Sequence, residues 1–173
     1  TTVQEGTLRA NNTTGSATGP NTVSVRSGAT LGGTGFVAGL VTANGGNIAP
    51  GMSAGILTLA GGINLSNGGT YVWDLAANST NNPGTDFDVL AAPGGNVVLG
   101  GTSQLLLNFT GSATAPDAAN PFWKTNHSWV ILTVSGAAAN PGPTTFASVV
   151  NGTSSAGVFS TAADADGNIV LTF

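Results

Sequence analysis

Apolar and polar positions alternate along this chain in short runs, and most runs end on glycine or asparagine. Val3–Leu8, Val23–Val25, Ala29–Leu31, Phe36–Val41, Asn47–Ala49, Ile56–Leu59, Ile63–Leu65 and Thr70–Leu75 read as strands, because a period of two places one set of side chains on one face. The turns expected between them are Gly32-Gly33, Asn44-Gly45-Gly46, Pro50-Gly51, Gly61-Gly62 and Asn67-Gly68-Gly69, residues suited to tight or left-handed backbone. No stretch keeps apolar residues at i, i+3, i+4 and i+7, so no helix is predicted. Beyond Tyr71 the runs become longer and more apolar: Phe87–Leu90, Asn96–Leu99, Gln104–Phe109, Ser128–Val134, Val158–Thr161 and Ile169–Phe173. The segment Gly157–Phe173 reads as a hairpin turning near Asp166-Gly167. Pro83-Gly84, Ala115–Pro121 and Ala137–Pro143 read as loops.

The repeating unit is irregular but close to roughly twenty residues, the range of β-solenoid coils. The predicted fold is therefore all-β: a β-solenoid whose bulkier antiparallel C-terminal β region closes one end. Residues 1–70 form the Gly/Asn-rich solenoid part, and residues 71–173 the longer-stranded part of the same core. All three tryptophans (Trp73, Trp123, Trp129) lie in the second part, with every phenylalanine except Phe36. The alternative architecture is a β-sandwich or jelly roll, which also has short strands at regular spacing but normally more aromatic core and more surface charge.

Composition sharpens this picture. Gly, Ala, Thr, Asn and Ser supply 106 of the 173 residues, and only 6% are charged, against about 25% in an average soluble protein. Small side chains imply backbone packed closely on backbone. With Arg9, Arg26 and Lys124 as the only basic side chains, nucleic-acid binding is not expected, because phosphate neutralisation needs a stripe of cations. The longest apolar run, Trp129 to Val134, is far short of a membrane span, and no basic amphipathic helix suggests a membrane surface. The absence of cysteine removes disulfides and thiolate chemistry. The chain opens on Thr1 with no leader pattern, which reads as a processed product.

Three stretches resemble a known family. Thr1-Thr-Val-Gln-Glu-Gly-Thr-Leu8, the run Val23–Gly35, and Asn47-Ile-Ala-Pro-Gly-Met-Ser-Ala-Gly-Ile-Leu-Thr-Leu59 are similar to units of the autotransporter-associated β-strand repeat. Tyr71–Leu75, Thr85–Leu90 and Gly100–Phe109 look like the segment that follows such units, so the resemblance covers roughly residues 1–110. It implies a bacterial, exported β-solenoid protein, extracellular or at the cell surface, some members of which end in a C-terminal sorting tail. It implies no catalytic residues.

The chemical candidates are few. Asp164, Asp166 and Asn168 alternate as oxygen ligands do in calcium loops, but no Glu completes the loop and a plain Asp-Gly hairpin turn is the stronger reading. No other cofactor is expected. Asp86 and Asp88 stand two apart, the spacing of a shared face, and are weighed as a glycosidase pair against turn-capping carboxylates; capping is favoured. His127 is the only histidine, and no nucleophile motif such as G-x-S-x-G is read beside it. Trp123 is a candidate for stacking on a sugar and thus for polysaccharide contact, whereas Trp129 belongs to the core. An enzyme is not expected.

What remains is assembly. Residues Thr1, Thr2, Val3, Gln4, Glu5, Gly6, Thr7 and Leu8 form a strand-like segment with a single charge, and an uncapped strand edge templates another strand. The expectation is a structural extracellular protein that self-associates into a fibre or surface layer of its own copies. The N-terminal segment either joins a neighbouring subunit by β-augmentation or forms the first coil of its own fold. The alternative function is a fragment of an adhesin or autotransporter passenger that binds carbohydrate or a surface.

Overall fold

A computed structural model of the chain describes residues 1–135 and 145–173. The loop predicted at Ala137–Pro143 lies outside the described residues. The strands, in chain order, are β1 (Thr2–Val3) and β2 (Gly6–Arg9); β3 (Val23–Arg26), β4 (Ala29–Gly33) and β5 (Phe36–Val37); β6 (Val41–Asn44), β7 (Asn47–Pro50) and β8 (Ile56–Leu59). They continue with β9 (Ile63–Asn64), β10 (Thr70–Leu75) and β11 (Val89–Pro93), then β12 (Val97–Val98), β13 (Gln104–Phe109) and β14 (Ser128–Ser135), and finally β15 (Ser148–Val150), β16 (Ser160–Ala163) and β17 (Ile169–Thr172). The one helical element among the described residues is a 3₁₀ turn at Phe122–Lys124.

These strands form three sheets, and the chain visits them in rotation. The first sheet runs β1-β3-β6-β9-β12, the second β15-β13-β10-β7-β4-β2, and the third β16-β17-β14-β11-β8-β5. All the strand pairs are parallel except those that β17 makes with β14 and β16. The fold is therefore all-β with three mostly parallel sheets. Its period is not constant. Thr30 pairs with Asn47, 17 residues on; Gly6 with Ala29, 23 on; Thr70 with Gln104, 34 on; and Gln104 with Ser148, 44 on. The added length lies in the connections after β10 and β13, which carry Phe87, Phe122 and Trp123.

Registers convert the alternation of the sequence into columns. On the second sheet Leu8, Leu31, Ile48, Tyr71, Leu105 and Val149 stand side by side, and the four inner members are fully buried. Their outward neighbours Thr7, Thr30, Asn47, Thr70, Gln104 and Ser148 make a parallel column of uncharged polar side chains. Val23, Val41, Ile63 and Val97 form the matching buried column of the first sheet, and Leu57, Leu90, Leu132 and Ile169 that of the third. The three columns meet in one apolar interior, which is the favourable burial that holds the sheets together.

Several strand boundaries differ from expectation: Phe36–Val41 is split between β5 and β6, and Val158–Thr161 shifts to Ser160–Ala163. Gly32-Gly33, read as a turn, belongs to β4. A Cβ on Gly32 would lie 2.5 Å from the Ala49 carbonyl oxygen, so glycine marks close approach of β7 there rather than a turn. Val3–Leu8 is split in two, because Gly6 at φ +70° redirects the chain from the first sheet to the second.

Candidate functional site

The N-terminal segment is not a free arm. Thr2 and Val3 pair with Ser24 and Val25, and Gly6–Arg9 pair with Ala29–Gly32, so Thr1–Leu8 forms the first turn of its own fold. It nevertheless ends two sheets: β1 is the outer strand of the first and β2 of the second. Arg9 fastens this turn by donating from its guanidinium to the Gly51 carbonyl oxygen at 2.8 Å, 42 residues away. Nothing in the alternation pattern points to that bond.

The third sheet begins differently. There the N–H groups of Phe36 and Ala38 donate to Asn12 Oδ1 and Ser16 Oγ, each at 3.0 Å, and the Phe36 carbonyl accepts from Ala17 N–H at 3.0 Å. Asn and Ser side chains thus stand where a strand would otherwise pair. At the opposite end of the molecule β15 closes the second sheet and the β16–β17 hairpin the third.

An aromatic cluster fills the C-terminal half. Trp73 and Trp129 meet edge-on at 5.6 Å, Trp123 meets Phe173 at 4.9 Å, and Phe159 meets Phe173 at 4.9 Å. Each indole N–H has a backbone carbonyl: Asp88 for Trp73 (2.9 Å), Thr114 for Trp123 (3.1 Å) and Ser79 for Trp129 (2.7 Å). Trp129 is in the core as expected. Trp123, the candidate for sugar stacking, is 2% exposed, with Phe109, Phe122, Phe159 and Phe173 around its ring, and its aromatic faces are packed in the core. His127 stacks on Phe122 with centroids 3.8 Å apart, and its Nε2 lies 2.6 Å from the Phe122 carbonyl oxygen; that nitrogen therefore carries the proton and donates.

The carboxylates accept from backbone N–H groups and asparagine amides. Asp86 and Asp88 do not share a face. Asp86 sits in a turn and accepts from the Asn82 side chain at 2.8 Å. Asp88, 1% exposed, accepts from Gly55 N–H at 2.7 Å and from Asp74 N–H at 3.0 Å. Burial pushes the Asp88 carboxyl up to about 8, against the pull of the two N–H donors. Asp74, half-buried beside it, is also raised by burial, while its bond from Asn108 opposes the shift. Asp164 holds the β16–β17 turn: its carboxylate accepts from the N–H groups of Asp166 and Asn168 and from the Asn168 amide, and the Asn168 side chain keeps it below the usual carboxylate range. Asn168 in turn accepts from Val134 N–H at 2.9 Å. Asp164 and Asn168 are thus bound into the hairpin itself, and among the described residues no group of three or more His, Cys, Asp or Glu is placed to hold a metal ion.

One motif escaped the sequence reading. Gly51-Met52-Ser53-Ala54-Gly55 matches the G-x-S-x-G pattern of hydrolase nucleophiles. It lies between two strands, β7 and β8, not between a strand and a helix, and the Ser53 hydroxyl is 3.1 Å from the Thr110 hydroxyl. His127, the only histidine, bonds to the Phe122 carbonyl and the Thr125 hydroxyl. A surface groove of about 500 Å³ lies on the third sheet, lined by Ile56, Pro83, Phe87, Val89 and Val130 among others, none of them charged. No protein-family model, curated protein or solved structure matches the chain.

Proposed function

We propose that the chain is a structural β-solenoid, exported by a bacterium to the cell surface or beyond, that self-assembles into a fibre or layer. The solenoid reading is supported by the rotation of the chain through three sheets and by parallel pairing at separations of 17 to 44 residues. A sandwich would instead join neighbouring strands mainly as antiparallel pairs. The resemblance of Thr1–Leu8, Val23–Gly35 and Asn47–Leu59 to autotransporter-associated repeats supports the location.

The observation that carries the assembly reading is the pair of edges on the second sheet with which no described residue pairs, β2 at one end and β15 at the other. Neither strand holds a proline, and Arg9 is the only charged residue in either, although those are the usual defences of an exposed edge. A contact between two different ends does not close on itself and propagates as a filament. Negative-stain electron microscopy of the purified chain over a concentration series tests this. Filaments above a critical concentration are the expected result, and a monomer at every concentration overturns it.

A further inference from the structure

The three sheets are not equivalent at the ends of the molecule. On the third, the first strand has already given Phe36 N–H, Phe36 carbonyl and Ala38 N–H to Asn12, Ala17 and Ser16, so an incoming strand finds those groups occupied. On the second, no described residue pairs with the outer edge of either β2 or β15. The apolar column of that sheet also stops short. Leu31, Ile48, Tyr71 and Leu105 are fully buried, whereas its end members Leu8 and Val149 are only partly covered. Because every strand pair within this sheet is parallel, a second copy translated along the stack presents β2 to β15 in the direction the sheet already uses.

We propose that copies of this chain join head to tail through the second sheet, β15 of one pairing in parallel with β2 of the next, with Ser148 beside Thr7 and Val149 beside Leu8. The third sheet makes no strand pairing across the junction. This rests on the self-assembly reading above and adds to it a strand pair and a register. In that register both columns run on unbroken: Val149 and Leu8 cover each other's exposed apolar surface, and Ser148 and Thr7 continue the uncharged polar row. The junction supplies the backbone partners that both edges lack.

The register is tested by placing charges at Thr7 and Ser148, which are both exposed and point away from the core. Like charges directly opposite on neighbouring strands repel, so the double variant T7K/S148K is expected to raise the critical concentration for filaments by about two- to fivefold. T7E/S148K is expected to return it to near the parent value, and S160K, on the outer strand of the third sheet, to leave it unchanged. Should the lysine variants fold poorly, T7C/S148C gives an independent readout. The chain has no other cysteine, and neighbouring strands bring Cα atoms within disulfide range, so oxidation of its filaments is expected to give a ladder of covalent multimers on a non-reducing gel. Filaments of T7K/S148K at the parent concentration, or oxidised T7C/S148C filaments that run as monomer, overturn the pairing while leaving self-assembly standing. Loss of filaments in S160K alone assigns the contact to the third sheet and likewise overturns it. A parent chain that never polymerises overturns self-assembly itself.

Discussion

The hydroxyl of Tyr71 donates to the backbone carbonyl of Ile131 at 3.1 Å, inside the core and across 60 residues of sequence. Ile131 lies where β14 and β17 shift register, between Val130 and Leu132. Such a bulge leaves one residue outside the ladder, and here its carbonyl meets the only tyrosine of the chain. Burial pushes the Tyr71 hydroxyl well above its ordinary value, so it remains a donor at any ordinary pH. The bond ties the second sheet to the third at the point where parallel pairing gives way to antiparallel.

Tyr71→Phe keeps the ring and removes the donor, so one buried hydrogen bond is lost. The expected loss is about 0.5–1.5 kcal/mol, read as a lower urea midpoint with unchanged far-UV circular dichroism. A midpoint equal to the parent would mean that Ile131 finds another donor.

The Asp88 carboxyl makes stability depend on pH. Its folded value of about 8 lies above the roughly 3.9 of an unfolded aspartate, so the folded chain holds this proton more tightly. The resulting stabilisation is complete below about pH 4, is lost as pH rises toward 8, and stays lost above that. Asp74, also raised by burial, acts in the same direction. Asp164 acts oppositely: its folded value is lowered, so its contribution is present above about pH 4 and is lost in stronger acid. Denaturant midpoints are therefore expected to fall between pH 4 and 8. Asp88→Asn, which cannot titrate, should flatten most of that slope; a slope equal to the parent's would assign it to other groups.

Glycine placement gives a graded prediction. A Cβ on Gly95 would run into the backbone of Gly61 and Gly62, whereas Gly28, at φ +83°, has open space around it. Gly28→Ala therefore bears only the cost of left-handed backbone, about 1 kcal/mol. Gly95→Ala must separate two packed turns, with a further penalty of about 1–3 kcal/mol. Thermal or urea midpoints should rank parent, Gly28→Ala, Gly95→Ala in descending order.

That contrast also shows which parts of the fold were legible in the sequence. Alternation located Tyr71, Trp73 and Leu75 on one buried face, and the hairpin at Asp164–Gly167 followed from its Asp-Gly turn. Pattern alone did not separate glycines that turn the chain from glycines that let strands approach, so Gly32 was assigned to a turn. Nor did it separate Val41–Asn44 from Phe36–Val37, or mark Ser148–Val150 as a strand. The N-terminal strand was legible as a strand, but its partner was not. Pairing 22 or 23 residues downstream depends on where the chain returns, which no local pattern encodes. Asp88 was read beside Asp86 on one face because the intervening change from turn to extended backbone leaves no mark in composition.

The last prediction concerns salt. On the second sheet the C-terminal edge, Ser148–Val150, has no charged residue, and the N-terminal edge has only Arg9, whose guanidinium is bonded to Gly51 within its own chain. An interface built from these strands holds no ion pair to screen, and its driving terms are backbone hydrogen bonds and the covering of Leu8 and Val149. Raising ionic strength from about 0.1 M to about 1 M shortens the Debye length from roughly 10 Å to roughly 3 Å, which weakens contacts between exposed charges. Filament mass measured by sedimentation is expected to stay constant or rise across that range of sodium chloride, while dilute urea, which solvates peptide groups, is expected to reduce it. Dissolution by sodium chloride alone would place an electrostatic contact at the junction, and with it a different pair of surfaces.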